Sequence, residues 1–143
     1  MTDQQSWPVA APYIQSRTVE SSDLDEFGHV NNVRYIDWAM DIAWAHSGAL
    51  GLPFAEYERL GVGCVVWRHE FDYLASTREG DVIDIATWIA ECDKRVRLVR
   101  AFEMRRGNGV LFKGRTKFVT IDMATGKPAR MPNEFITAYE PAE

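Results

Sequence analysis

The residues from Asp23 to Tyr35 read DLDEFGHVNNVRY. Two carboxylates, a glycine, a histidine and two asparagines stand directly before a long apolar run. Asn31 or Asn32 falls where a helix N-cap belongs, because an amide side chain there accepts from the first free helical N–H groups. Those unpaired amides also favour negative charge. Gly28 permits a turn that residues with a Cβ resist. Asp25 is therefore a carboxylate on a loop that leads into a helix start. A carbonyl held between the two meets a nucleophile or base on one side and hydrogen-bond donors on the other. That is the minimum equipment for acyl transfer. The plain alternative is structural: Asp, Gly and Asn are ordinary turn and cap residues, and a lone histidine such as His29 is more often structural than catalytic.

Other chemistries find less support in the chain. There is no GxSxG nucleophile elbow. GVGC at 61–64 lacks the rest of a dinucleotide fingerprint. His69-Glu70 does not continue into HExxH. Asp23, Asp25 and His29 make a thin metal set, and Cys64 and Cys92 form no CxxC pair and no metal spacing with histidine. No metal and no cofactor is expected.

The elements that must position these residues follow from periodicity. A loose lead, residues 1–12, precedes a first strand from Tyr13 to Glu20. Asn32 to Ser47 reads as a helix whose polar residues Arg34, Asp37 and Asp41 form one narrow stripe. The rest of its surface is apolar, which predicts burial on several sides, and Gly48 is the expected stop. Pro53 to Leu60 adds a further turn or two. After Gly63 the period becomes two. Val65, Trp67, His69, Phe71 and Tyr73 share one face; Val66, Arg68, Glu70 and Asp72 share the other. STREGD reads as a turn, Val82 to Glu91 as a strand, and Asp93-Lys94 as another turn. Arg95 to Arg106 sets Val96, Leu98, Phe102 and Met104 against Arg95, Arg97, Glu103 and Arg105. Arg100 falls on the apolar face and breaks that pattern. RGNG is a hairpin signal. Val110 to Asp122 alternates Lys113, Arg115 and Lys117 with Phe112, Gly114, Thr116 and Phe118. A strand, a helix and then four strands linked by hairpins predict an α+β chain, its antiparallel sheet curled round one apolar helix.

With 143 residues the chain is long enough for one domain, 1–143, and too short for two ordinary ones. A net charge of -5 with no long basic run argues against a nucleic-acid partner. No apolar run approaches the ~20 residues that span a bilayer, so no membrane partner is expected. The N-terminus lacks the basic and apolar regions of a secretory signal. Two unpaired cysteines suit a reducing compartment, and the expected location is cytoplasmic.

DLDEFGHVNNVRY resembles the D-x-D-x-x-G-H-V-N-N-x-x-Y signature of hotdog-fold thioesterases of the 4-hydroxybenzoyl-CoA thioesterase type. RHEFDYLASTREGDVIDIATWI is similar to that family's second and third strands, and GRTKFVTIDMATGKPARMP to its last strand and exit. The resemblance runs from about Tyr13 to Pro132. It implies a five-stranded antiparallel sheet wrapped around one long central helix. It implies homodimers or dimers of dimers with the active site at the subunit interface, and hydrolysis of an acyl-CoA substrate to free acid and CoA. Carried over by residue, Asp25 is the nucleophile or general base, and the backbone N–H near Asn32 faces the thioester carbonyl. Gly28, His29 and Asn31 shape the loop and support Asp25, and Tyr35 lines the acyl pocket. Arg95 and Arg97, with Lys113, Arg115 and Lys117, are candidate docking groups for the phosphates of CoA. The bland reading of those five is a solvated sheet face. Val96 stands where several relatives carry a serine. His29 replaces an apolar residue of the 4-hydroxybenzoyl enzyme, which argues against carrying over its aromatic substrate. Two alternatives keep the fold: the same hydrolysis on an acyl carrier protein, or acyl-CoA binding without hydrolysis. The hydratase arrangement D-x-N-P-x-H is missing. Trp38, Trp44, Trp67, Trp88 and Phe71 line a pocket or fill the core, core being the default.

Overall fold

The computed structural model describes residues 6–143. In chain order the elements are β1 (Tyr13–Thr18), α1 (Asn32–Ala49), α2 (Phe54–Leu60), β2 (Val62–Tyr73), β3 (Val82–Cys92), β4 (Arg97–Arg106), β5 (Gly109–Asp122) and α3 (Asn133–Ala138). The five strands form one antiparallel sheet in the order β1-β3-β4-β5-β2. The α+β expectation holds, with α1 packed on the sheet.

Tyr35, Trp38, Ala39, Ile42 and Ala43 repeat at helical spacing and are buried. They pack on Ile83, Ile85, Phe102, Met104 and Phe112. Each large side chain so buried contributes roughly 1.5–3 kcal/mol. Two expectations about α1 need correction. Within the protomer the helix is buried on one side only, since Val33 is 59 % and Trp44 46 % exposed. The helix also runs through Gly48 to Ala49, and the chain turns at Gly51, where φ is +88°. A glycine weakens a helix without ending it. Here the Ser47 hydroxyl is bonded to Tyr139 at 2.6 Å, which holds the last turn.

The four later strands are not all hairpin neighbours. β2 pairs with β5, and β3 pairs with β1 and β4. The segment expected to be a turn therefore carries the chain from one edge of the sheet to β3 on its far side. It crosses the start of α1, where the Thr77 carbonyl accepts from Val30 N–H at 2.9 Å. The expected RGNG hairpin is present, with Arg106 opposite Gly109 and Gly107 at φ +60°.

β2 does not keep one alternation along its length. A bulge between Val66 and Arg68 leaves Trp67 without a partner on β5. The extra residue flips the pattern. Cys64 and Val66 then point the same way as His69, Phe71 and Tyr73. Trp67 turns to the outer face, where Lys117 sits over its ring at 5.5 Å.

β4 is buried on both faces. Its outer residues Glu103 and Arg105, expected to face solvent, are 2 % and 6 % exposed. The lead is not loose where it is described. Arg105 stacks over Trp7 at 4.1 Å and donates to the Ser6 carbonyl at 3.3 Å. Residues 1–5 of that lead lie outside the described residues. α3 was not anticipated; Phe135 and Tyr139 bury against Leu52, Tyr57, Leu98 and Phe118 in a second cluster.

Candidate active site

The loop before α1 uses its two aspartates differently. Asp23 is 4 % exposed. Its carboxylate accepts from Glu20 N–H at 2.9 Å and lies 3.6 Å from Arg34 Nε. Its backbone carbonyl accepts from Asn31 N–H at 2.9 Å. Asp23 is thus a clamp between the loop and the helix. Asp25 is exposed and has no ion-pair partner among the described residues. Its Oδ1 accepts from the backbone N–H of Phe27 at 2.9 Å and of His29 at 3.3 Å. These two amides fix the carboxylate, while Oδ2 has no partner among the described residues.

Gly28 makes this loop close. Its φ is +76°, a conformation that costs an L-residue energy. Its N–H donates to the Asp25 carbonyl at 3.1 Å. Gly28 acts through the backbone and does not line the cleft described below. Asn31 is the N-cap: its Oδ1 accepts from Val33 N–H at 3.0 Å. That role occupies the side-chain oxygen and leaves Asn31 outside the cleft lining, so the substrate contact expected of it is not supported. Asn32 is the first residue of α1, and its N–H has no acceptor among the described residues. It is one of the free amides at a helix start.

Asp25, His29, Asn32 and Tyr35 line one cleft of about 350 Å³ with Tyr73 and Leu74. Tyr73 donates to the Asn32 carbonyl at 3.3 Å. That bond steadies the peptide next to the free Asn32 N–H. The Tyr35 ring lies edge-on to Tyr73 at 5.6 Å, and its hydroxyl is bonded to Thr77 at 2.7 Å. Burial pushes the Tyr35 phenol above its ordinary range, and burial does the same to Tyr73. Both phenols are neutral hydrogen-bonding groups at neutral pH.

Within the protomer Arg95 and Arg97 do not line this cleft. Arg97 pairs with Val119 on β5, whereas Tyr73 pairs with Phe112. Seven residues of strand separate the two positions, roughly 23 Å at ~3.3 Å per residue. Arg97 also faces the outer side, beside Trp67 and Lys117. The alternation put the basic residues on one face correctly, but it could not say which end of the sheet the cleft occupies. Sequence reasoning missed the contribution of the β2–β3 connection, whose Leu74, Ala75 and Ser76 complete the cleft wall. Among the described residues no three His, Cys, Asp or Glu side chains come together as a metal set. Among the described residues no helix is long and apolar enough to cross a membrane.

A family model described as the thioesterase-like superfamily matches residues 19–138. No curated protein matches the chain in sequence. Several solved structures share the fold. A 1,4-dihydroxy-2-naphthoyl-CoA thioesterase from Synechocystis superposes with a TM-score of 0.81 at 18 % identity, over 90 % of this chain and 96 % of that one. A Staphylococcus aureus protein solved in complex with CoA gives 0.83 at 20 % identity, over 94 % and 85 %. A DHNA-CoA thioesterase from Staphylococcus aureus gives 0.80 at 22 % identity, over 90 % and 88 %.

Proposed function

The chain belongs to the thioesterase-like superfamily, and from that premise we propose that it hydrolyses acyl-CoA thioesters in the cleft between Asp25 and the start of α1. The observation that carries this reading is that Asp25 and Asn32 line one cleft, the acid with a free Oδ2 and the helix with a free N–H. The thioester carbonyl oxygen takes the Asn32 N–H, and the Asp25 oxygen works at the carbonyl carbon. The CoA complex of a structural relative supports CoA as the carrier.

A thioester suits so small a set of groups. A thiol ionises near pKa ~8.5 and leaves as thiolate, so no general acid is obligatory. Asp25 either attacks the carbonyl to form a mixed anhydride, which water then cleaves, or takes a proton from an attacking water. In both routes the C–S bond breaks, the acid and the CoA thiolate leave, and negative charge gathers on the carbonyl oxygen. A backbone amide aimed at that oxygen contributes about 2.7–4 kcal/mol. His29 borders the cleft and holds the loop through its backbone.

The protomer offers one surface suited to a second copy. β2 is an edge strand twelve residues long, and none of it is buried. Val65, Val66, Trp67, Tyr73 and Leu74 stand 41–54 % exposed along it and just beyond. A long apolar edge is a template for pairing. Two-fold antiparallel pairing of β2 sets the Tyr73 end of one protomer beside the Cys64 end of its partner. The exposed Asp25 cleft then closes against the second subunit. A homodimer, or a dimer of such dimers, follows from this reading.

The test is thiol release from acyl-CoAs, followed with a thiol-reactive dye. Asp25→Asn lowers the rate roughly 10²–10⁴-fold, the scale of a positioned acid–base group, while the fold is kept. Turnover by the variant at the wild-type rate removes Asp25 from the mechanism.

A further inference from the structure

A second cavity lies between α1 and β2, nearer the C-terminal end of the helix. Its volume is about 170 Å³, and Ser47, Tyr57, Cys64, Arg100 and Tyr139 supply its polar lining. At ~30 Å³ for a water-sized group it holds roughly five or six non-hydrogen atoms. Of all its lining residues only Trp44 and Val66 are exposed, so the mouth lies between α1 and β2.

Arg100 is the residue that broke the alternation of β4, and it is 2 % exposed. No carboxylate lies within ion-pair distance of it among the described residues. Its two hydrogen bonds both leave from Nη1, to His46 Nδ1 at 2.7 Å and to Thr87 Oγ1 at 3.3 Å. Arginine only donates, so His46 Nδ1 is the acceptor and the proton of that ring is on Nε2. His46 is neutral: burial and Arg100 lower its pKa to about 4. Nε and Nη2 of Arg100 have no acceptor among the described residues, yet neither is a sealed, unsatisfied atom. Arg100 itself lines the cavity. Around it stand hydroxyls rather than acids. Ser47 bonds Tyr139 at 2.6 Å, and Tyr139 bonds Tyr57.

A guanidinium keeps its charge even when buried. Burying it without a counter-ion is unfavourable, and a bound anion offsets that. The free edge of the guanidinium is a two-pronged donor that matches a carboxylate. A neutral hydroxyl in the same place leaves the charge uncompensated. The cavity and the Asp25 cleft both draw lining residues from α1 and β2. Asn32 and Met40, on the same helix, border the two sites about 12 Å apart at ~1.5 Å rise per residue.

We propose that the Arg100 cavity receives a carboxylate at the far end of the acyl chain, so that the preferred substrate is the CoA half-thioester of a dicarboxylic acid. This rests on the thioesterase reading and names its substrate class. Arg100 binds the distal carboxylate through Nε and Nη2, and the phenols of Tyr57 and Tyr139 border it. The aliphatic part of the chain lies between α1 and β2, past Met40.

The experiment is a series of linear acyl-CoAs, each length supplied with a methyl end and with a carboxylate end. Wild type prefers the carboxylate-ended member at its best length by roughly 100-fold in kcat/KM, the scale of a charged hydrogen bond. Arg100→Met brings that ratio close to one, and Arg100→Lys, which keeps the cation if Met impairs folding, retains part of it. Calorimetry with the free dicarboxylic acid gives the same order without any turnover: binding to wild type, loss in Arg100→Met. Equal or better hydrolysis of methyl-ended substrates by wild type overturns this proposal and leaves the Asp25 mechanism standing. No hydrolysis of either series overturns the thioesterase reading, and calorimetry alone then decides whether Arg100 holds a carboxylate.

Discussion

Asp25 and His29 are bonded to each other twice: the Asp25 N–H donates to the His29 carbonyl at 2.8 Å, and the His29 N–H donates to Asp25 Oδ1 at 3.3 Å. The loop is thereby closed on itself, and one carboxylate oxygen is held while the other is left over. Gly28 sits inside this closure at φ +76° with nothing within reach of an added Cβ. Gly28→Ala therefore suffers from backbone strain rather than from a clash. The expected cost is about 1–2 kcal/mol, read as a lower urea midpoint, with a fall in kcat from a loosened Asp25. Unchanged stability and rate would mean that the loop adapts without it.

Asp23 and Asp25 should separate cleanly. Asp23→Ala removes a buried acceptor of the Glu20 amide and one of the partners of Arg34, which also reaches Asp37. A stability loss of about 0.5–2 kcal/mol is expected, as for a lost cap. Asp25→Asn should leave the melting temperature near wild type and lower turnover roughly 10²–10⁴-fold. Thermal denaturation beside thiol-release rates tests the pair; the reverse pattern would exchange their roles.

Gly114 is a packing glycine. A Cβ built there would overlap Phe71 Cδ1, and Phe71 is its partner across β5 and β2. Gly114→Ala should destabilise by about 1–3 kcal/mol through overpacking. Adding Phe71→Leu should recover part of that loss, because the two sites touch. A double-mutant cycle in urea checks the coupling.

His46 makes stability depend on pH. Its pKa falls from 6.5 to about 4 on folding, through burial and then Arg100. Between those values the unfolded chain binds more protons, so stability rises with pH. The contribution is full above about 6.5 and is lost as pH falls toward 4. His46→Gln, which still offers Arg100 an acceptor oxygen, should flatten the wild-type curve in that window. Parallel curves for the two proteins would show that His46 does not contribute to it.

The β2 edge should decide assembly. Val65→Lys with Trp67→Lys places two cations on the exposed strand, where like charges meet across a two-fold axis. The double variant should run as a monomer in light scattering and lose activity with it. A variant that remains dimeric and active would move the interface elsewhere.

The Gly28 turn and the Asn31 cap of DLDEFGHVNNVRY, the apolar period of α1, the RGNG hairpin and the basic alternation of β5 were all legible in the sequence. Each is a local fact, set by residues within a few positions of one another. The family match then agreed with the element order. Tertiary structure alone decided that β2 pairs with β5 rather than with β3, and that Trp67 bulges. It also decided that the lead covers Arg105 and that within one protomer Arg95 and Arg97 lie far from the cleft. Periodicity tells which face of a strand is apolar but carries no information about the partner across it. Arg100 shows the limit most clearly. Its position on the apolar face was visible as a broken pattern, but its surroundings, with no carboxylate in ion-pair distance among the described residues, depend on His46, Thr87 and Tyr139, which only folding brings around it.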